Sequence, residues 1–367
     1  MLSSSSQGFL PRIESVRGVA ALTVALMHVT SSFVEGPSRG GIDTAGLFLI
    51  KALSNGYGAV VAFFVISGFV LARSLDKNFA VARFLRARIF RLFPAAITTV
   101  LIFTAVFYTS GFNLYHDASY GPLNILANML MLRINIDAVM WSMKAEVVAT
   151  PLIILCAWLC RQYGARPVIA IAVVLFGLSF VGQYSHAIGD DTNLAPIYAF
   201  PVGVLLHFRG RALCERLSPP AVGLGALASV VLFCGCSFFK PVGTFTLLVQ
   251  CATAAVLVGL VAYRGEAALF TVLDHAIVRF YGKISYSFYL LHPLALWSAN
   301  WVTVELLKQF DSLPVSLILL TAFAFSVAAI TPLAYASWRF VEWPAMNRRP
   351  SPAKPQYDRP VAVSGDV

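Results

Sequence analysis

The sequence predicts an all-α polytopic membrane protein with about ten transmembrane helices and both termini cytoplasmic. Three observations predict it. Of 367 residues, 58% are hydrophobic and 12% are charged, whereas soluble domains carry about 25% charged residues. The scarce charge is excluded from long blocks, and a span needs roughly 20 mostly apolar residues. The basic residues that remain gather in alternate loops.

The apolar blocks place helices near 14–34, 56–75, 92–112, 140–160, 167–184, 194–208, 219–239, 243–263, 284–306 and 314–337. The first block lacks a clear small-x-small cleavage site and is followed by many more spans, so it reads as a retained helix. The sixth is short and broken by Pro196 and Pro201. The stretch from Pro122 to Leu132 is too short to span and reads as re-entrant or interfacial. Residues 1–347 form one transmembrane domain. Residues 348–367, rich in Pro and polar residues, read as a disordered cytoplasmic tail.

Basic residues follow the even-numbered helices: Arg73 to Arg91, then Arg161 and Arg166, then Arg209, Arg211 and Arg216, then Arg264, Arg279 and Lys283. With Arg12, Arg17 and the C-terminal region, these loops hold 21 of the 27 Lys and Arg. Positive residues stay on the cytoplasmic side. Topology and contact with anionic lipid therefore account for the net charge of +10, and nucleic acid is not an expected partner. No cysteine cluster has a histidine at metal-ligand spacing, so no metal is expected. No internal repeat of the kind common in transporters stands out.

Ionisable groups inside spans are costly, and each is a functional candidate. The first helix carries Arg17 and His28. Eleven residues at about 100° each make three turns plus roughly 20°, so the two share a face about 16 Å apart along the axis. Such a face suits a long anionic ligand, with Arg17 on its phosphate or carboxylate and His28 as general base. A snorkelling arginine and a histidine bonded to a neighbouring helix are the alternative. Glu14 is spaced to pair with Arg17. The second helix ends in Phe63-Phe64-Val65-Ile66-Ser67-Gly68-Phe69, where small residues let helices approach closely. A loop carrying Arg86, Arg88 and Arg91, with Pro94 after it, opens the third helix, and arginine forks suit phosphate. Trp141, Ser142 and Glu146 open the fourth at the outer side. There Glu146 needs a partner: Lys144, a histidine of another helix, or a substrate hydroxyl. Tyr289 and His292 share a face of the ninth helix, and Pro293 suggests a kink there. Glu342, near the end of the tenth, is expected in a local ion pair.

Together these motifs resemble the membrane-bound acyltransferase-3 family of bacterial surface-glycan O-acyltransferases. The resemblance rests on Arg17 with His28, Phe-Phe-x-x-Ser-Gly-Phe at 63–69 and Arg-x-x-Arg-x-x-Pro at 88–94. It continues with Trp-Ser-Met-x-x-Glu at 141–146, Ile-Ser-Tyr-Ser-x-Tyr-Leu-Leu-His at 284–292 and Glu-x-Pro at 342–344. Each motif is weak alone, but they stand in the family's order over nearly the whole chain. The resemblance implies an enzyme of the bacterial inner membrane that moves an acyl group, usually acetyl, from acyl-CoA to a glycan or lipid-linked glycan hydroxyl. Acyl-CoA enters as co-substrate, and no cofactor is expected to be bound. Arg17 and His28 match the family's essential pair, Arg88 and Arg91 its donor side, and Glu146 its motif glutamate. Ser67, Trp141, Ser142, Tyr289 and His292 would serve the substrate or the structure. Val147, Ala149 and Thr150 depart from the second acid and aromatic pair that often follow the glutamate. No extra soluble C-terminal domain is expected. A glycolipid transporter or flippase, or a non-catalytic partner in glycan assembly, would use the same intramembrane charges differently.

Overall fold

The computed structural model describes residues 10–115, 118–181, 194–239, 242–265 and 267–347. Among them the secondary structure is helical, with no strand. The expected tail at 348–367 lies outside the described residues.

Helix α1 (Pro11–Thr30) opens on a proline, whose missing N–H would have no intrahelical partner at that position. Helix α2 (Gly41–Leu53) leads into α3 (Gly56–Lys77), whose N-cap Asn55 accepts a hydrogen bond from the Gly58 amide at 3.0 Å. Helix α4 (Val81–Ser110) stops at Gly111, which takes a left-handed φ of 71°. Then come α5 (Pro122–Met129), α6 (Trp141–Tyr163), α7 (Arg166–Leu178) and α8 (Ala199–Cys214). Next are α9 (Pro219–Gly235), α10 (Thr244–Tyr263), α11 (Ala276–Leu291) and α12 (Leu296–Gln309). The described chain closes with α13 (Val315–Ser337) and α14 (Trp343–Asn347).

Among the described residues, seven helical segments are long and apolar enough to cross a membrane: 11–30, 41–77, 81–110, 138–163, 219–238, 244–263 and 315–347. The three other expected spans fall on shorter helices: α7 of 13 residues, α8 of 16, and the α11–α12 pair of 16 and 14. The ninth expected span is thus two helices. A 3-10 turn at His292–Ala295 separates them, because Pro293 supplies no amide to continue the α-helical ladder. Two further differences concern charged stretches. The arginine-rich stretch expected as a loop is the first part of α4, where arginine is a good helix former. Helix α2 was not expected, because Asp43 and Lys51 interrupt its apolar pattern. Asp43 is satisfied by the backbone amides of Arg39 and Ser316, each at 2.7 Å, which ties α2 to the start of α13.

Helix α3 is the hub, packed by α1, α6, α8 and α10. Two glycine crossings draw the helices together. A Cβ on Gly68 or Gly203 would lie within 3 Å of backbone on the facing helix, α8 or α3. A Cβ on Gly18 would lie within 3 Å of the Tyr281 and Gly282 backbone, and one on Gly282 would lie 2.8 Å from the Glu14 carbonyl. Close backbone approach through small residues is how membrane helices gain packing without a hydrophobic driving force. Helices α7 and α9, by contrast, turn apolar side chains outward, with Val173 62% and Leu224 69% exposed.

Most of the described arginines gather at one end of the bundle, the basic end, with Arg39 and Arg133 at the other. At the basic end Arg161 reaches the Leu75 carbonyl at 3.4 Å, Arg264 the Cys214 carbonyl at 3.2 Å, and Arg12 and Arg279 both grip Asp274. Those two guanidiniums hold the Asp274 carboxyl at about 2, below the usual carboxylate range.

Candidate active site

Helix α1 runs from the basic end to the opposite end and carries a candidate side chain, Arg17 or His28, near each. The close α1–α11 crossing at Gly18 and Gly282 brings those side chains against α11. The site is therefore bipartite.

At the basic end a cavity of about 360 Å³ is lined by Glu14, Arg17, Ser67, Arg73, Lys77, Arg88, Arg91 and Glu146, with apolar side chains of α1, α3 and α4. Glu146 sits 2.8 Å from Arg88 Nη2, in an ion pair that is almost fully buried. Ser67 Oγ donates to the same carboxylate oxygen at 2.6 Å. Arg88 Nε is buried without a hydrogen-bond partner among the described residues. Among the described residues Arg91 donates to the Met346 sulfur, at 3.5 Å. Arg17 lines the cavity with no carboxylate within 4 Å among the described residues. Glu14 therefore does not pair with Arg17 at ion-pair distance. Glu342 likewise makes no local ion pair among the described residues; its carboxylate accepts from Ser287 Oγ at 3.1 Å. Arg339, three residues before Glu342, stacks over Trp343 with its guanidinium 4.9 Å from the ring centroid.

At the opposite end the two imidazoles meet. His28 Nδ1 lies 2.8 Å from His292 Nε2. The rings are nearly coplanar, 15° apart with centroids at 5.1 Å, which suits an in-plane N–H···N bond. His292 Nδ1 lies 2.6 Å from the Tyr289 carbonyl. A carbonyl oxygen can only accept, so His292 Nδ1 carries the proton. In the neutral ring its Nε2 must then accept, and His28 Nδ1 must donate. The chain of bonds leaves the lone pair of His28 on Nε2, the atom facing away from the dyad. The break between α11 and α12 permits this arrangement, because the last turn of α11 presents the Tyr289 carbonyl to the side chain three residues on.

Around the dyad, Tyr289 Oη donates to the Val139 carbonyl at 3.1 Å and lies 2.9 Å from Ser142 Oγ. Trp141 packs edge-on to Phe64 at 6.0 Å and tilted against Tyr57 at 6.5 Å. Lys144 donates to the Leu132 carbonyl at 3.0 Å. The structure thus sorts the candidate residues into two groups. Arg17, Arg88, Arg91, Glu14, Ser67 and Glu146 share the basic cavity. His28, His292, Tyr289, Ser142 and Trp141 share the opposite end. Glu146 is expected at the outer side, with Lys144, a histidine of another helix or a substrate hydroxyl as partner, and there to orient His28 or bind the acceptor. It lies five residues into α6, about 7.5 Å below Trp141, and its partner is Arg88. The partner of His28 is His292.

Sequence reasoning missed Asp137, which is fully buried just before α6 with neither carboxylate oxygen hydrogen-bonded among the described residues. Burial pushes its carboxyl well above the usual range. Its place at the edge of an apolar block offered no signal. Arg73 and Lys77 were counted toward topology, yet both line the cavity. Among the described residues no three His, Cys, Asp or Glu side chains converge as a metal site would require.

A family model described as an acyltransferase domain matches residues 10–339. The chain belongs to the acyltransferase-3 family. Curated relatives of this chain include proteins of Staphylococcus aureus strains COL and MW2, each 21% identical over 409 residues and each named as a presumed O-acetyltransferase. Those matches cover 94% of this chain and 59% of each relative, so the chain spans about three fifths of their length. No solved structure matches it. The helices, the ordered motifs and the family agree on a multi-pass membrane protein.

Proposed function

We propose that this acyltransferase is an enzyme of the bacterial inner membrane that moves an acyl group, acetyl above all, from acyl-CoA to a hydroxyl of an exopolysaccharide, lipopolysaccharide or lipo-oligosaccharide. The observation that carries the reading is the layout of α1. Arg17 lines an arginine-rich cavity without an ion pair, and His28 stands about 16 Å further along the same face with Nε2 free. Phosphates of acyl-CoA suit Arg17, Arg91 and the unpartnered Nε of Arg88. The positive-inside rule assigns that cavity to the cytoplasmic side, where acyl-CoA is made. The extended arm of acyl-CoA can then follow α1 toward His28.

In direct transfer, His28 Nε2 takes the proton of the acceptor hydroxyl as its oxygen attacks the thioester carbonyl. The new C–O bond forms, the C–S bond breaks, and the thiolate leaves with the proton from His28. The Nδ1–H bond to His292 stabilises the imidazolium in between. In the alternative course His28 Nε2 attacks the thioester and expels the CoA thiolate; the acceptor hydroxyl then attacks the acyl carbonyl, the C–O bond forms as the C–N bond breaks, and the hydroxyl proton ends on the thiolate. A trapped acyl-imidazole would separate the two. Glu146 holds the Arg88 guanidinium in place at the donor side. The names of the Staphylococcus relatives support acetyl as the group.

Deletion of the gene and complementation test the proposal. Ester-linked acetate on the isolated glycans should be lost on deletion and restored by wild type but not by His28→Ala. Acetate restored by His28→Ala would remove His28 from the chemistry. Unchanged acetate with altered glycan export would favour a transporter.

A further inference from the structure

A second cavity at the basic end, of about 630 Å³, shares no lining residue with the donor cavity. The α6–α7 turn forms one wall, with Tyr163, Gly164, Ala165, Arg166 and Ile169. The end of α8 and the turn after it form the other, with Arg209, Leu213 and Arg216. Gly164 permits the turn by taking a φ of 78°. A side chain there would stand 3.6 Å from Arg209 Nη2, so the turn faces the arginine.

The three arginines differ from most of their neighbours at this end. Arg12 and Arg279 hold Asp274, Arg88 holds Glu146, and Arg161 and Arg264 hold backbone carbonyls. Arg166, Arg209 and Arg216 have no carboxylate within 4 Å among the described residues, and all three point into one concavity. Topology alone calls for basic residues at this level of the membrane, but it does not call for convergence. Three like charges in one cavity repel, and an anion there would relieve the repulsion. Arg166 also opens α7, a helix of 13 residues whose N-terminus favours negative charge.

The rim is apolar and open. Tyr163 and Leu213 are 67% and 66% exposed, and the α7 face above them carries the exposed Ile169, Val173 and Val174. On a helix expected to lie in the bilayer this apolar skirt faces lipid, so a phospholipid seated in the concavity would lay its acyl chains along it. Basic pockets between helix ends on the cytoplasmic side are a known form of phospholipid headgroup site.

We infer that Arg166, Arg209 and Arg216 form a site for the headgroup of an anionic phospholipid, with its chains along α7. Three guanidiniums fit a headgroup with two phosphodiesters better than one with a single phosphate. The site is independent of the acyl-transfer reading, because its residues share no contact with Arg17 or His28.

The test is lipid retention by the purified full-length chain, read by native mass spectrometry after exchange into vesicles of phosphatidylcholine with a small fraction of cardiolipin. Wild type should retain cardiolipin over phosphatidylcholine at least tenfold. Arg209→Gln/Arg216→Gln should lose that preference. Arg83→Gln/Arg86→Gln removes the same charge from exposed positions outside the cavity and should keep it. All four arginines are exposed, so the variants should fold, and equal melting temperatures would check this. Equal loss in both double variants would reduce the effect to general charge and overturn the site, as would retention in both. Displacement of cardiolipin by millimolar inorganic phosphate or free CoA would overturn the lipid assignment in favour of a soluble phosphate ligand.

Discussion

In the proposed mechanism His28 acts as a base through Nε2 only while His292 Nε2 accepts the proton on His28 Nδ1, which would make His292 a positioning residue. His292→Leu removes the acceptor and frees the His28 ring to flip or change tautomer. His292→Gln keeps an acceptor for His28 and a donor for the Tyr289 carbonyl. We expect His292→Leu to lower kcat by about 10²-fold or more, the usual worth of a general base, with KM for the acyl donor little changed. His292→Gln should recover most of the loss. Equal loss in both variants, with lowered melting temperatures, would mean that His292 only packs. The sequence displayed both histidines within apolar blocks, and the cost of such groups marked them as candidates. It could not display their pairing, because 264 residues separate them and only the folded crossing of α1 and α11 joins them. The Glu146–Arg88 pair was hidden in the same way. The spacing of Arg17 and His28 was legible because both lie on one helix, where periodicity alone fixes the face.

At the scale of elements, the distance between α1 and α11 sets the dyad. Gly18 and Gly282 allow that distance, since a methyl on either would press into facing backbone rather than a movable side chain. Gly18→Ala should therefore separate the helices, stretch the His28–His292 bond and lower activity more than it lowers expression. Gly223→Ala is the control: its Cβ would meet nothing within 4 Å, and alanine in the helix should be neutral or stabilise by about 1 kcal/mol. Similar effects from both would show that the crossing does not govern the site. A second joint at the basic end holds the start of α1 to the turn before α11, through Asp274 with Arg12 and Arg279. Its carboxyl titrates lower in the folded chain than in the unfolded one. The stabilisation is thus present above the unfolded value of about 4 and is lost as pH falls toward about 2. Asp274→Asn should make the melting temperature less sensitive to acid over that window, and an unchanged pH profile would remove the joint from the stability of the fold. Hydropathy revealed the long spans, because length and apolarity are local properties. It missed α2 and joined α11 to α12, because a short helix bearing Asp43 and a break at His292 depend on contacts made elsewhere in the chain.

For the whole molecule, the two halves of the site need opposite sides of the membrane. The arginine cavity and the dyad lie at different depths on α1, and the donor reading holds only if the basic end is cytoplasmic. Charge predicts that orientation, and cysteine labelling can measure it, since the six native cysteines are buried or half-buried. Ile42, near the start of α2, lies at the end opposite the arginine cavity and is 88% exposed, while Arg83 is exposed at the basic end. A membrane-impermeant maleimide should label Ile42→Cys in intact cells and Arg83→Cys only after permeabilisation. The reverse pattern would put Arg17, Arg88 and Arg91 on the outer face, where no acyl-CoA reaches them. The family membership would stand, but the cavity would then have to serve an anionic acceptor, and the donor would have to enter beside His28.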